Sequence, residues 1–283
     1  MQESIKSINS ALTEAKSAEY GVGIVRLMGR YCGFIAVMAT LAARDVNVCL
    51  IPEVYFQLYG PDGVYEHVIK IATTKGYCVV VVAEGAEDGL VDEDRDAVRD
   101  ELGIKEDRVD ESGNRKNLDL AKFMVKDLGK YAKRTKNITL TIKYLNPTYA
   151  IRTTPANSSD AELCHRLAHT GVHSVQAGFT DFSVGNVRDQ PVLIPISLLI
   201  SQSSRQLKRK DHEYQRVIES NGQPNFLNKE NMVTYLSREK DRDIKRRELY
   251  LKSKCETQGH KACFGADAKA LDRMVGASGS MNY

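Results

Sequence analysis

The sequence lacks the features that mark several large classes of protein. No apolar run reaches the roughly 18 residues that a membrane-spanning helix needs, and the start, Met1-Gln2-Glu3-Ser4-Ile5-Lys6, has neither the basic nor the apolar region of a secretory signal. The six cysteines are scattered without the spacing of a disulfide framework. We therefore expect a cytoplasmic protein with reduced thiols.

A strong charge of either sign is also missing. The 40 Lys and Arg residues against 37 Asp and Glu give a formal net charge of +3, which is too even for a protein whose main partner is a nucleic acid or an anionic membrane. The composition is that of a globular protein, with 42% hydrophobic and 27% charged residues over 283 positions. That length fits one large domain or two interlocked lobes.

Apolar periodicity predicts that helices and strands alternate in the first part of the chain. The pattern indicates helices over residues 3–17, 33–44 and Val64–Thr73, and strands over Val22–Leu27, Val46–Ile51 and Tyr77–Ala83. These strands are continuous apolar runs, whereas strands exposed on one side would alternate. The sequence therefore predicts an α/β fold in which a parallel sheet is covered by helices on both faces.

The later part of the chain is more varied. Residues 87–115 are rich in Asp, Glu, Arg and Gly, which predicts a mobile surface insertion with a short helix. The remaining predicted elements are helices over 117–133 and 158–177, strands over Ile138–Lys143, Phe179–Val187 and Val192–Ile196, and a charged helix over 238–253.

Two polar motifs follow predicted strands. Met28-Gly29-Arg30 comes after the first strand and before a helix, where backbone N–H groups and the Arg30 guanidinium could bind an anion. Glu84 follows the third strand, where its carboxylate could accept hydrogen bonds from sugar hydroxyls. By spacing alone, an ordinary surface turn and a salt bridge explain these motifs as well.

A third polar motif runs from Lys143 through Tyr149 to Arg152 and combines cations with hydroxyl donors, as a phosphate site does. A plain chain reversal rich in Pro, Asn and Tyr has the same composition.

Three histidines recur every four residues, so His165, His169 and His173 share one face of a predicted helix. Two histidines at this spacing can hold zinc, but no metalloprotease-type glutamate or second ligand pair accompanies them, and we predict no metal site. The sequence also contains no Walker-type phosphate loop. Gly21-Val22-Gly23 precedes a strand rather than a helix, so it is not a dinucleotide fingerprint.

Taken together, the three motifs resemble a known family. Leu27-Met28-Gly29-Arg30, Ala83-Glu84-Gly85-Ala86 and the Tyr149-x-x-Arg152 pair occur in this order in the 6-phosphofructokinases, specifically in the ATP-using branch related to the pyrophosphate-using enzymes. The resemblance covers about residues 5–200. It implies a phosphofructokinase-like fold with Rossmann-like lobes over residues 1–202, followed by a charged, partly helical extension over 203–283.

The resemblance also implies a role for each matching residue. Met28, Gly29 and Arg30 would bind fructose 6-phosphate, and Arg30 would also offset charge during phosphoryl transfer. Glu84 would accept hydrogen bonds from the sugar. The 6-phosphate would be held by Tyr149 and Arg152, with Lys143 supplied by a neighbouring subunit of a homo-oligomer, as a dimer or tetramer.

The sequence departs from the family before Met28. The family's Gly-Gly-Asp-Gly nucleotide segment and its Thr-x-Asp stretch, which carries the catalytic base, are not among the 27 residues that precede Met28. We therefore expect the C-terminal portion of a glycolytic phosphofructokinase, which uses Mg²⁺ and ATP in its complete form and is inactive as this chain alone. The alternatives are a non-catalytic sugar-phosphate-binding or regulatory subunit and a pyrophosphate-dependent enzyme.

Overall fold

The computed structural model describes residues 1–103, 118–202 and 207–238. They fall into two units, of which unit 1 comprises Met1–Asn157 and Ser204–Leu236, while unit 2 comprises Ser158–Ser203 and residues from Ser237 onward. Unit 1 begins, in chain order, with α1 (Gln2–Lys16), β1 (Gly21–Leu27), α2 (Phe34–Ala43), β2 (Val48–Leu50), α3 (Val64–Lys75), β3 (Tyr77–Ala83), α4 (Asp92–Leu102), α5 (Leu120–Lys136), β4 (Thr141–Leu145) and α6 (Thr148–Thr153). Unit 2 contributes α7 (Ser158–Gln176), β5 (Phe182–Val187), β6 (Gln190–Pro195) and α8 (Ile196–Gln202), and then come α9 (His212–Asn221) and a helix over 229–238, α10.

The core of unit 1 is a parallel sheet with the strand order β2-β3-β1-β4. Strand β1 pairs with β3 from Gly21 opposite Tyr77 to Leu27 opposite Ala83, and with β4 on its other side. All residues of β3 from Cys78 to Ala83 are at most 1% exposed, because the central strands are covered on both faces. The prediction of an α/β fold built on a parallel sheet is confirmed.

The order of the strands determines where the helices lie. The chain moves from β1 outward to β2 through α2, and then back across the sheet through α3 and α5. Since parallel crossovers are right-handed, α2 lies on one face and α3 and α5 lie on the other. The contacts agree, because α1 packs against α2 and α3 packs against α5. Helices therefore cover both faces, as predicted.

The short helix predicted within residues 87–115 is confirmed, whereas the predicted surface insertion is wrong for residues 87–103, which pack into unit 1. This stretch forms a short 3₁₀ helix, Ala86–Gly89, followed by α4, and Leu90 and Val98 are fully buried. Glu87 is also buried, and its carboxylate accepts a 2.6 Å hydrogen bond from the amide of Leu118. Three of the acidic residues, Asp92, Glu93 and Asp94, lie in the first turn of α4, where carboxylates interact favourably with the helix dipole. Residues 104–117 lie outside the described residues.

The segment 207–236 packs onto the sheet of unit 1. The Gln223 side chain accepts a 2.8 Å hydrogen bond from the amide of Cys49 and donates a 3.3 Å bond to the Cys49 carbonyl. Strand β2 is an edge strand, so this one side chain satisfies backbone groups that would otherwise be open. The Gln57 amide donates to the Phe226 carbonyl at 2.8 Å. The predicted division into a domain over residues 1–202 and an extension over 203–283 is not tested by these bonds and stays a prediction.

Unit 2 consists, in its described part, of α7, the antiparallel hairpin β5-β6 and α8. The predicted helix over 158–177 and the two predicted short strands are confirmed. The predicted charged helix over 238–253 lies beyond the described residues. None of the described helices combines the length and the apolar character needed to span a bilayer.

Candidate functional site

The three sequence motifs follow three adjacent strands. Met28-Gly29-Arg30 comes directly after β1, Glu84 directly after β3, and α6 follows β4 after two residues. Strand β1 lies between β3 and β4, and all three are parallel. Their carboxyl ends therefore meet at one edge of the sheet, which is where open α/β sheets bind ligands.

Backbone hydrogen bonds join the first two motifs. The amide of Glu84 donates to the Leu27 carbonyl at 2.8 Å, and the amide of Gly85 donates to the Gly29 carbonyl at 2.9 Å. The pairing of β1 with β3 thus continues past the ends of both strands. The structure brings Met28, Gly29, Arg30 and Glu84 together.

Two glycines make this close approach possible. Gly29 has a φ of 139°, which side-chain-bearing residues rarely adopt. A Cβ atom on Gly85 would lie 1.8 Å from the Arg30 carbonyl oxygen, so no other residue fits there without moving the Arg30 backbone. The side chains of Met28 and Arg30 are half-buried beside this contact.

A charged network lies beneath the two loops. Arg26 Nη2 is 3.5 Å from Glu84 Oε1, and Arg26 Nε is 3.6 Å from Asp119 Oδ1. The Tyr144 hydroxyl donates to the Asp119 carboxylate at 3.2 Å, and Asp119 also caps α5 by accepting from the Lys122 amide. Partial burial, followed by the nearby Asp119 charge, raises the pKa of Tyr144 to about 12. The network links Arg26 of β1 and Tyr144 of β4 to Glu84, directly after β3, and to Asp119, the N-cap of α5.

Our reading of the sequence missed Arg26, Asp119 and Tyr144. One signal was present, because Arg26 is the only charged residue in the apolar strand β1, and a charge in a buried strand requires a partner. Its partners could not be identified, since Asp119 is distant from it in the chain.

Glu53 holds the segment that follows Arg30. Its two carboxylate oxygens accept hydrogen bonds from the Gly33 amide at 3.0 and 3.1 Å, at the start of α2. One of the same oxygens accepts from the Leu207 amide at 3.1 Å. A carboxylate at the first turn of a helix is favoured by the free N–H groups there. Glu53 thus connects the loop after β1 with the segment 207–236.

The third motif lies partly on a helix rather than on a loop. Tyr149 and Arg152 are three residues apart on α6, so they lie on the same side of it. Tyr149 is 81% exposed, and Arg152 is exposed as well. The structure places these side chains after the strand next to β1 and leaves them open to solvent.

Lys143 lies within β4 and not at its carboxyl end. It pairs in register with Gly23, four residues before Leu27, and its Nζ atom is 3.8 Å from Glu14 Oε2. With a rise of about 3.3 Å per residue, Lys143 lies roughly 13 Å short of the level of Leu27. The structure therefore does not bring Lys143 to the Met28–Arg30 loop of its own chain, and its supply by a neighbouring subunit stays a prediction.

Metal-ligating side chains do not cluster at this edge. In residues 1–103, 118–202 and 207–238, no group of three or more His, Cys, Asp or Glu side chains is arranged to hold a metal ion.

Comparison with known proteins gives consistent relatives. Residues 1–175 match the family model described as phosphofructokinase. The ATP-dependent 6-phosphofructokinase 1 of Arabidopsis thaliana is 39% identical over 227 residues, which are 80% of this chain and 46% of that protein. The ATP-dependent 6-phosphofructokinase of Amycolatopsis methanolica is 38% identical over 217 residues, 77% of this chain and 46% of that protein.

A solved pyrophosphate-dependent phosphofructokinase from Marinobacter aquaeolei aligns at 18% identity and a TM-score of 0.49, covering 78% of this chain and 52% of that one. The chain spans about half the length of the curated relatives it matches.

Proposed function

Because the chain belongs to the phosphofructokinase family, we propose that the carboxyl edge of its sheet binds fructose 6-phosphate as the acceptor half of a phosphofructokinase site. In the complete enzyme, the 1-hydroxyl oxygen of the sugar attacks the γ-phosphorus of MgATP. The bond to the β,γ-bridging oxygen breaks, and fructose 1,6-bisphosphate and ADP leave. The observation that supports this best is the position of the three sugar-phosphate motifs after three adjacent strands.

Arg30 and its two neighbours form the part of the site nearest the reacting group. The tight contact between Gly29 and Gly85 holds the loop in one conformation, so the Arg30 charge needs little reorganisation when a phosphoryl group approaches. The Arg30 guanidinium stabilises the developing negative charge on the transferred phosphoryl oxygens. Met28 and Gly29 line the sugar.

Glu84 orients the sugar through its hydroxyl groups. Its carboxylate lies 3.5 Å from Arg26 and is mostly buried, and carboxylate oxygens accept hydrogen bonds from hydroxyl groups. Arg26 is a positioning residue, because it acts through Glu84 and Asp119 and not on the substrate.

The 6-phosphate is bound at the α6 end of the edge. Arg152 offers a planar pair of N–H donors, and Tyr149 offers a hydroxyl donor from the same side of the helix. Lys143 completes the phosphate site of a neighbouring copy in a homo-oligomer, which we place in the cytoplasm.

The donor is ATP, because relatives with 38–39% identity are named ATP-dependent enzymes. We assign none of the described residues to MgATP or to the base that takes the proton of the 1-hydroxyl. We therefore propose that these 283 residues alone bind the sugar phosphate and do not turn it over.

Isothermal titration of the purified 283-residue protein with fructose 6-phosphate tests the binding proposal. We expect saturable binding, no comparable binding of fructose, and a roughly 10- to 100-fold weaker affinity in Arg152→Ala, since a hydrogen-bonded charge is lost. Arg134→Ala, which removes an exposed arginine from the end of α5, is the matched control and should keep the wild-type affinity. A folded protein that does not bind fructose 6-phosphate would contradict the site.

A second measurement separates binding from catalysis. MgATP and fructose 6-phosphate are added together, and fructose 1,6-bisphosphate is followed by a coupled assay. We expect binding without product. Product formation would show that this chain contains the donor side as well, and the proposal of an acceptor half would then be wrong.

A further inference from the structure

The histidine-bearing face of α7 contains a pair of imidazole nitrogens in close contact. His169 Nε2 and His173 Nε2 are 3.2 Å apart, and both side chains are exposed. Their ring centroids are 4.3 Å apart and the ring planes are inclined by 68°. The pair belongs to unit 2 and shares no residue with the proposed sugar-phosphate site.

In the absence of a metal ion, one of these nitrogens can donate a hydrogen bond to the other, and a metal ion that replaces the shared proton needs a similar separation. Imidazole nitrogens bind zinc at about 2.0–2.1 Å, so two of them lie roughly 3.3 Å apart at a tetrahedral angle and roughly 2.9 Å apart at a right angle. The observed 3.2 Å falls between these values. Both side chains are exposed, so small rotations about their own bonds can direct both lone pairs at one ion.

The third histidine of the face is arranged differently. The rings of His165 and His169 are stacked, with centroids 6.0 Å apart and planes inclined by 18°. Since the lone pairs of an imidazole lie in the ring plane, two nearly parallel rings with centroids 6.0 Å apart do not direct their lone pairs at one ion in this arrangement. His165 therefore provides an internal comparison with the same spacing along the helix.

The nearest cation on this helix already has partners. Arg166 forms an ion pair with Glu162 at 2.7 Å and donates to the Asp189 carbonyl at 2.9 Å. These contacts offset its charge next to the histidine face, which favours approach of a second cation.

Contrary to the expectation from the sequence, we infer that His169 and His173 form a two-imidazole binding site for one divalent ion of the late first transition series, such as Ni²⁺, Cu²⁺ or Zn²⁺. These ions bind imidazole more strongly than Mn²⁺ or Fe²⁺ do, whereas Mg²⁺ prefers oxygen ligands. Water fills the remaining coordination positions. The site is independent of phosphofructokinase chemistry, so its failure would leave the proposed function untouched.

Titration of the 283-residue protein with Ni²⁺ under reducing conditions, followed by calorimetry, tests the site. His169→Gln and His173→Gln should each weaken Ni²⁺ binding at this site by roughly 10²-fold. In the wild type, the second imidazole binds the ion intramolecularly and so raises the affinity, and each variant loses this gain. The double variant should be little weaker than either single variant, since both histidines contribute to one site. His165→Gln is the matched control and should retain that site.

Cys255, His260 and Cys263 are other possible Ni²⁺ ligands, and all of these variants retain them. A difference in Ni²⁺ affinity between the variants therefore does not come from these three residues. Circular dichroism of each variant verifies that α7 remains helical. Unchanged Ni²⁺ binding in both His169→Gln and His173→Gln would overturn the inference. An equal loss in His165→Gln would do the same.

Discussion

The amide of Gly85 donates a 2.9 Å hydrogen bond to the carbonyl of Gly29, and this bond joins the loops that follow β1 and β3. The Gly85 backbone lies so close to Arg30 that a Cβ atom there would be 1.8 Å from the Arg30 carbonyl oxygen. The position of Arg30 therefore depends on a residue in another loop that has no side chain.

Replacing Gly85 by alanine should disturb this contact directly. We expect Gly85→Ala to reduce the free energy of unfolding by about 2 kcal/mol or more, because backbone must move to admit the methyl group. Affinity for fructose 6-phosphate should fall with it. Gly129→Ala is the control. Gly129 lies within α5, and a Cβ atom there would contact Ile142 of β4 at an ordinary 3.7 Å. Alanine at this position should stabilise the helix by about 0.5–1 kcal/mol. Urea denaturation measures both, and equal stability of the two variants would refute the steric argument.

The ion pair between Arg26 and Glu84 should be measurable as a coupling energy. Arg26→Met leaves the mostly buried Glu84 and the half-buried Asp119 without their cation, and we expect a loss of about 1–2 kcal/mol. In a double-mutant cycle with Glu84→Gln, the coupling should exceed about 0.5 kcal/mol.

The control for this cycle is an exposed ion pair. Lys6 and Glu3 are 2.6 Å apart, but the Lys6 side chain is 71% exposed. Lys6→Met should therefore change stability by less than about 0.5 kcal/mol. A coupling energy near zero between Arg26 and Glu84 would mean that the two charges do not support each other.

Tyr144 should make the stability of the protein sensitive to alkaline pH. Its pKa is raised to about 12 in the folded state, against about 10 in an unfolded chain. The folded state therefore keeps a proton that the unfolded state releases, and stability must fall as pH rises from about 10 to 12. Between neutral pH and pH 11, we expect the free energy of unfolding to fall less in Tyr144→Phe than in the wild type. Denaturation midpoints measured up to pH 11 provide the comparison, and identical slopes would contradict it.

Gln223 should stabilise the edge of the sheet from a distant part of the chain. Gln223→Met leaves the buried amide and carbonyl of Cys49 without their partners, so we expect a loss of about 1–3 kcal/mol. Gln176→Met, at an exposed position of α7, should cost less than about 0.5 kcal/mol. Thermal melting of the two variants side by side would distinguish them, and equal melting temperatures would contradict the role of Gln223.

Local patterns predicted the elements whose burial is regular. Strand β3 is predicted by its continuous apolar run, and helix α7 by apolar residues that recur with the helix period. The acidic stretch before and within α4 hid the few residues that are buried there, such as Leu90 and Val98. Helix α6 was missed because it is short and follows a proline, so it has no full apolar period.

The site was predictable only in part. The order of motifs indicates Gly29, Arg30 and Glu84 through resemblance, whereas composition and spacing alone favour an ordinary turn and a structural role for Glu84. The bonds that fix those motifs, from Arg26 to Asp119 and from Glu53 to Leu207, join residues far apart in the sequence. Periodicity describes which face of an element is buried, and it carries no information about such distant pairs.

The return of the chain to unit 1 after unit 2 affects how the protein is made. A ribosome synthesises the strands of the sheet well before Gln223 exists, so during that interval the outer edge of β2 has only water to bind. A nascent chain with an open strand edge is exposed to pairing with other chains. The segment 207–236 thus protects this edge of the sheet only after most of the sheet has been synthesised.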